Sequence, residues 1–163
     1  MTLSANYTLR PVTPADADTI QAQRDAMFLD MGRDAQAVQA ASAPALAWLR
    51  PALAHGEYEG VLAHQGGVVV AGAGVLWQSL PPSPATLADV RAYLLNVYVH
   101  PEHRGHGLAR TMLQALLDLC RQRGVDAVSL HASDAGRPTY DRLGFGATDE
   151  AMHLTLPPTG GGA

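Results

Sequence analysis

Apolar residues recur along this chain at two periods, near two and near three and a half, and each switch between them marks a new element. Tyr7-Thr8-Leu9-Arg10 alternates as a short strand. Thr13-Pro14-Ala15-Asp16 then supplies an N-cap, a proline at the first helical position and an acid in the first turn, which predicts a helix from Pro14. Along it Ile20, Arg24, Met27, Phe28 and Met31 fall three or four apart, so one arginine stands in an otherwise apolar stripe that stops at Gly32. A second helix is expected from about Ser42-Ala43-Pro44, with Leu46, Leu49 and Leu53 on one face and His55-Gly56 at its end. Residues 58–64, the turn Gln65-Gly66-Gly67 and residues 68–77 read as a hairpin, in which Gly72 and Gly74 signal a bend or close packing.

The second half carries a different rhythm. Residues 78–89 are rich in proline and serine, as a surface loop would be. A near-continuous apolar strand at 92–99, an amphipathic helix at 105–123 ending on Gly124, and another apolar strand at 125–130 make a βαβ unit with parallel strands. A short helix at 134–142, the turn Leu143-Gly144-Phe145-Gly146 and a last strand at 152–156 follow, before a flexible tail at 157–163. A last strand near an exposed edge would suit a homodimer.

Composition narrows the function classes. The 163 residues, nearly half of them apolar, suit one domain, with an ordered core over about 7–156. All basic residues are arginine, the net charge is -4, and no basic field for nucleic acid is evident. The absence of lysine excludes a Schiff-base lysine and a Walker-type phosphate lysine. Cys120 has no internal partner, Met1-Thr2-Leu3-Ser4 lacks the stretches of a secretory leader, and the longest apolar run is too short to cross a bilayer, so a cytoplasmic, membrane-free protein is expected. Its position mid-helix on the apolar face makes Cys120 a core residue.

The segment from Val97, Tyr98 and Val99 through His100-Pro101-Glu102-His103 to Arg104-Gly105-His106-Gly107-Leu108-Ala109 takes a strand out of the sheet and into a helix through closely spaced glycines. Glycine lets backbone approach an anion, and the helix start offers unpaired amides and partial positive charge, so a pyrophosphate fits there. The competing reading is an ordinary tight turn. A dinucleotide fold is disfavoured, because Arg110 stands where a third glycine is required and no acid closes the next strand. His100, His103 and His106 recur every third residue but lack a clear fourth ligand, so no metal is expected; His106 is better placed beside phosphate oxygens.

The longer pattern resembles the GNAT superfamily of N-acetyltransferases, whose signature Arg/Gln-x-x-Gly-x-Gly/Ala is filled by Arg104, Gly107 and Ala109. The run from Ser133 to Tyr140 and Leu143-Gly144-Phe145 is similar to that family's closing segment, although Ser133 and Gly136 stand where many members carry asparagine and alanine. The resemblance implies an α/β (α+β) fold: a mixed, mostly antiparallel twisted sheet of about six or seven strands, about four helices, and a splayed parallel strand pair around the cofactor. It implies acetyl-CoA as co-substrate, held by Val97, Tyr98, Val99, Arg104, Gly105, His106, Gly107, Leu108, Ala109 and Ser133. It also implies direct transfer of the acetyl group to a primary amine of a small molecule or peptide.

Tyr140 is then the general-acid candidate for the departing thiolate, because a phenol is almost fully protonated at neutral pH; its bland alternative is a core tyrosine. The base is unassigned, with Asn96, Tyr98, His131, Glu57 and Glu59 in reach of the role. Arg24 is the side chain to hold a substrate carboxylate or phosphate, with Met27, Phe28 and Met31 as an apolar wall, unless it pairs internally with Asp16 or Asp30. Trp77 and the following loop are either a far wall of that cleft or core. The alternatives at the level of function are an acyl-CoA sensor without turnover and an acyltransferase using a longer acyl group.

Overall fold

The computed structural model describes residues 6–148 and 150–157. One sheet runs in chain order: β1 (Tyr7–Pro11), β2 (Tyr58–Gln65), β3 (Val68–Ser79), β4 (Val90–Val99) and β5 (Val128–Leu130). The first four strands pair antiparallel and the last pair is parallel. Helices α1 (Ala17–Asp30) and α2 (Ala35–His55) cover one face, α3 (Leu108–Gln122) covers the other, and the short α4 (Arg137–Arg142) follows β5.

Alternation along the strands sorts the two cores. Ala63, Ala71, Ala73, Val75, Ala92 and Leu94 meet Leu108, Met112, Leu113, Leu116 and Cys120, the apolar stripe of α3 at three-and-four spacing. Cys120 is a free, buried core thiol, as its position suggested. On the other face Ala17, Ile20, Leu49, Ala52, Leu53 and Tyr58 form a smaller cluster.

The start of the first helical segment follows its sequence signals. Pro14–Asp16 is a 3-10 turn with Thr13 as N-cap, and Asp16 reaches back to the Thr13 amide at 2.7 Å and hydroxyl at 2.9 Å. Arg10 grips the same carboxylate at 2.6 and 2.8 Å, so one buried acid accepts four hydrogen bonds. Arg10, ahead of the opposing effect of burial, holds Asp16 well below the usual carboxylate range. A depressed acid contributes stability above its unfolded pKa near 3.9, and this is lost as pH falls towards the folded value. Asp16→Asn is therefore expected to cost about 2 kcal/mol in urea unfolding at pH 7, with the gap to the parent narrowing below about pH 4.

Two expectations are corrected. Helix α2 starts at Ala35 rather than near Ser42, because the Asp34 side chain caps it at 2.9 Å on Ala37 and the alanine-rich turns that follow are good helix formers. Pro44 and Pro51 sit inside it on exposed positions. Five strands rather than six or seven are formed among the described residues: residues 151–157 are exposed without secondary structure, so the expected strand at 152–156 is absent, and with it the ground for an edge-paired dimer. Met152, Leu154 and Leu156 have no sheet face to pack on. The expected flexible tail lies, from residue 158 onwards, outside the described residues. No described helix is long and apolar enough to cross a membrane.

Candidate active site

The site begins with a distortion of β4. Asn96 has φ +56°, and the register slips so that Asn96 and Val97 stand opposite Ala73 alone between the Gly74↔Leu95 and Gly72↔Tyr98 pairs. Such a bulge bends the strand and sharpens its twist. On its other side β4 pairs with β5 only at Ala92, Tyr93 and Leu94. Among the described residues that edge has no strand partner from residue 95 to 99, which is the splayed pair that the resemblance implied, and it contains Val97, Tyr98 and Val99.

The edge leads through Pro101–His103 to Gly105 (φ +80°) and Gly107 (φ +77°) at the start of α3. The first amide to find a helical carbonyl is that of Thr111, on Gly107, so the amides of Gly107, Leu108, Ala109 and Arg110 point out of the helix end. These donors and the free strand edge fit a long ligand with an anionic centre and amide groups along its arm. Arg104 braces this turn from beneath: Nε donates to the Val99 carbonyl at 3.0 Å and the guanidinium pairs with Asp30 at the end of α1. His106 lies against Tyr7, with Nδ1 3.2 Å from the His103 carbonyl, and His103 Nδ1 is 3.0 Å from the Tyr7 hydroxyl. Among the described residues no group of three histidine, cysteine or acidic side chains is placed to hold a metal ion.

After β5 comes α4. Ser133 caps its approach, accepting from the Gly136 amide at 3.2 Å, and Tyr140 is half-buried against Phe145 with ring centroids 6.0 Å apart. Burial pushes the Tyr140 phenol up, and Tyr93 adds to this. Tyr93 in turn lies 2.6 Å from His131 Nδ1. The Tyr140 ring is thus packed on the core, and its phenol is held in the protonated form.

The face covered by α1 and α2 holds a cavity of about 240 Å3 lined by Gln21, Arg24, Ala45, Trp48, Leu49, Leu95 and Asn96. Arg24 donates to the Asn96 Oδ1, and its guanidinium lies 4.7 Å over the Phe28 ring. Neither expected acid takes it: Asp16 belongs to Arg10 and Asp30 to Arg104. Asn96 also donates to the Tyr58 hydroxyl at 3.1 Å, a phenol that burial pushes up to about 12. Of the expected apolar wall, Phe28 supports the guanidinium from behind, Met27 is half-buried and Met31 exposed, and none of the three lines the cavity.

The wall is instead Trp48, on α2 next to the expected stripe of Leu46, Leu49 and Leu53. Trp77 belongs to the α3 face, where its Nε1 donates to Glu59 at 2.7 Å and Arg123 stacks over the ring at 4.6 Å. Glu59, also paired with Arg123, is thereby occupied away from the cleft, and Glu57 is exposed at the end of α2. The loop after β3 is tied to Asp126 by Thr86, far along the sheet from Arg24.

Comparison with known proteins agrees with this geometry. Over 64 residues the chain is 34% identical to a glucosamine 6-phosphate N-acetyltransferase of Trypanosoma brucei brucei, a match covering 39% of this chain and 44% of that one. It spans less than half the length of such curated relatives. A GCN5-related N-acetyltransferase from Ralstonia eutropha superposes with a TM-score of 0.87 at 35% identity, covering 94% of this chain and 99% of the other. A structure described as a predicted acetyltransferase with acetyl-CoA from Clostridium acetobutylicum gives 0.87 at 25% identity, covering 92% and 96%. The profile of the acetyltransferase (GNAT) family matches residues 24–145, from the arginine of the cavity to the phenylalanine against Tyr140. The bulged strand, the glycine turn and α4 all fall within that span, and the chain belongs to the GNAT acetyltransferase family.

Proposed function

We propose that this protein transfers the acetyl group of acetyl-CoA to a primary amine of a small molecule or peptide by direct attack in a ternary complex. The observation that carries this reading is the unpartnered β4 edge at 95–99, which runs from the Arg24 cavity to the outward amides at the start of α3. A pyrophosphate would sit on the amides of residues 107–110, with the pantetheine arm along Val97, Tyr98 and Val99. Amides at the splay would stabilise negative charge developing on the thioester oxygen. The amine nitrogen forms the new C–N bond, the C–S bond breaks, the sulfur takes the Tyr140 proton, the amine's surplus proton leaves to solvent, and the Tyr140 phenolate takes a proton back from solvent.

The decisive experiment measures thiol release with acetyl-CoA and a panel of primary amines. Intersecting initial-velocity lines and an unmodified protein mass after acetyl-CoA alone are expected. Parallel lines with an acetylated protein would reject direct transfer, and binding of coenzyme A without release for any amine would reject catalysis.

Gly107 offers a separate check on the cofactor half. At φ +77° a β-branched side chain is strained by about 1–2 kcal/mol, although nothing lies within 4 Å of a Cβ there. Gly107→Val should displace the amides of the turn and weaken coenzyme A binding about tenfold or more in calorimetry, with the fold retained.

A further inference from the structure

We infer that the acceptor is a small amine carrying its own anionic group and an apolar or planar part, seated in the cavity between α1, α2 and β4; this rests on the transfer reading above. Three features of the cavity define this class. The first is a cation with no anion of its own. Among the described residues no carboxylate pairs with Arg24; its partners are the neutral Asn96 amide and the Phe28 ring. The neighbouring acids are all engaged: Asp16 by Arg10, Asp18 by Arg50, Asp30 by Arg104, and Asp25 by Gln21 and Ser42.

The second feature is an orphaned acceptor. Gln21 is 4% exposed, and its Oε1 has no hydrogen-bond partner among the described residues. Its orientation follows from chemistry: Nε2 donates at 2.8 Å to Asp25, which as a carboxylate can only accept, so the oxygen is the atom left over. A buried carbonyl left unpaired is costly, and a small turn of the side chain into the cavity that Gln21 lines would let a bound N–H or O–H satisfy it. The third feature is an apolar wall, where Trp48 shows 48% of its surface beside Leu49, Leu95 and Ala45.

At about 240 Å3 the cavity suits a ligand smaller than drug size. A free cation and an unpaired acceptor beside an indole recognise an anion, a hydrogen-bond donor and an apolar body at once. Polycationic amines meet Arg24 with the wrong sign and leave it unpaired. A carboxylate and a phosphate-type group share the chemistry that Arg24 reads.

The test compares phenylalanine, its carboxamide and its phosphonate analogue as acceptors with saturating acetyl-CoA. Either anion should exceed the carboxamide in kcat/KM by tenfold or more, and the ratio of the two anions tells which Arg24 prefers. Arg24→Met should raise KM for the anionic acceptors at least tenfold and bring the anion-to-carboxamide ratio of kcat/KM towards one; Gln21→Met should raise KM severalfold. If all three amines are acetylated equally, the inference is overturned while acetyl transfer stands. A protein that releases no thiol with any amine fails the transfer reading instead, and binding of the anionic amines to the coenzyme A-loaded protein, read by calorimetry, then decides the cavity separately: tighter binding than the carboxamide upholds the class, and equal binding overturns it.

Discussion

Tyr140→Phe is expected to lower kcat for acetyl transfer about a hundredfold or more while leaving KM for the amine nearly unchanged. The ring keeps its packing against Phe145, so only the hydroxyl is lost. Burial, reinforced by Tyr93, raises the phenol above its usual value, so Tyr140 carries its proton through the whole neutral and mildly alkaline range. The sign of the pH dependence follows: activity that needs this proton falls only above the ordinary phenol range, and the variant lacks that alkaline limb. Equal kcat in a folded Tyr140→Phe protein at every pH would remove the acid role and leave Tyr140 as a core residue.

Gly74→Val should cost about 3 kcal/mol or more of stability, read as a lowered urea midpoint. A Cβ at Gly74 would lie 1.9 Å from the Tyr58 hydroxyl oxygen and 2.3 Å from the ring carbon that bears it. Tyr58 is almost wholly buried and its hydroxyl is held by Asn96, so the ring has no free volume to retreat into. Any shift that does occur must pass through Asn96 to Arg24, and KM for the amine should rise in the same variant. Gly146→Ala is the matching control: nothing lies within 4 Å of a Cβ there, and a change within about 0.5 kcal/mol is expected.

Local signals in the sequence were sufficient wherever an element is defined by its own residues. The Thr13-Pro14 start, the stripe of α3 and the glycine turn are all of this kind. Signals failed where a distant partner decides. Pro44 looked like a helix start, yet Asp34 caps the helix upstream. Arg24 was legible as an anomaly in an apolar stripe, but its partner Asn96, and the Tyr58 that holds Asn96 in turn, come from two strands and no spacing links them. Residues 152–156 alternate adequately for a strand, yet alternation requires a core face to pack on, and none receives them.

Asn96 occupies a backbone conformation that few side chains tolerate, with asparagine, aspartate and glycine the usual occupants. The same residue type is thus answerable to two demands, the shape of a strand and the state of a charge. Glycine would keep the kink and release Arg24. Aspartate would also keep the kink, but it would exchange a neutral amide for a carboxylate against the guanidinium, giving Arg24 a permanent internal counter-ion. Changing a single amide nitrogen to oxygen therefore separates a chain whose cation is open to a ligand from one whose cation is already spoken for, with the unpartnered edge of β4 left in place in both.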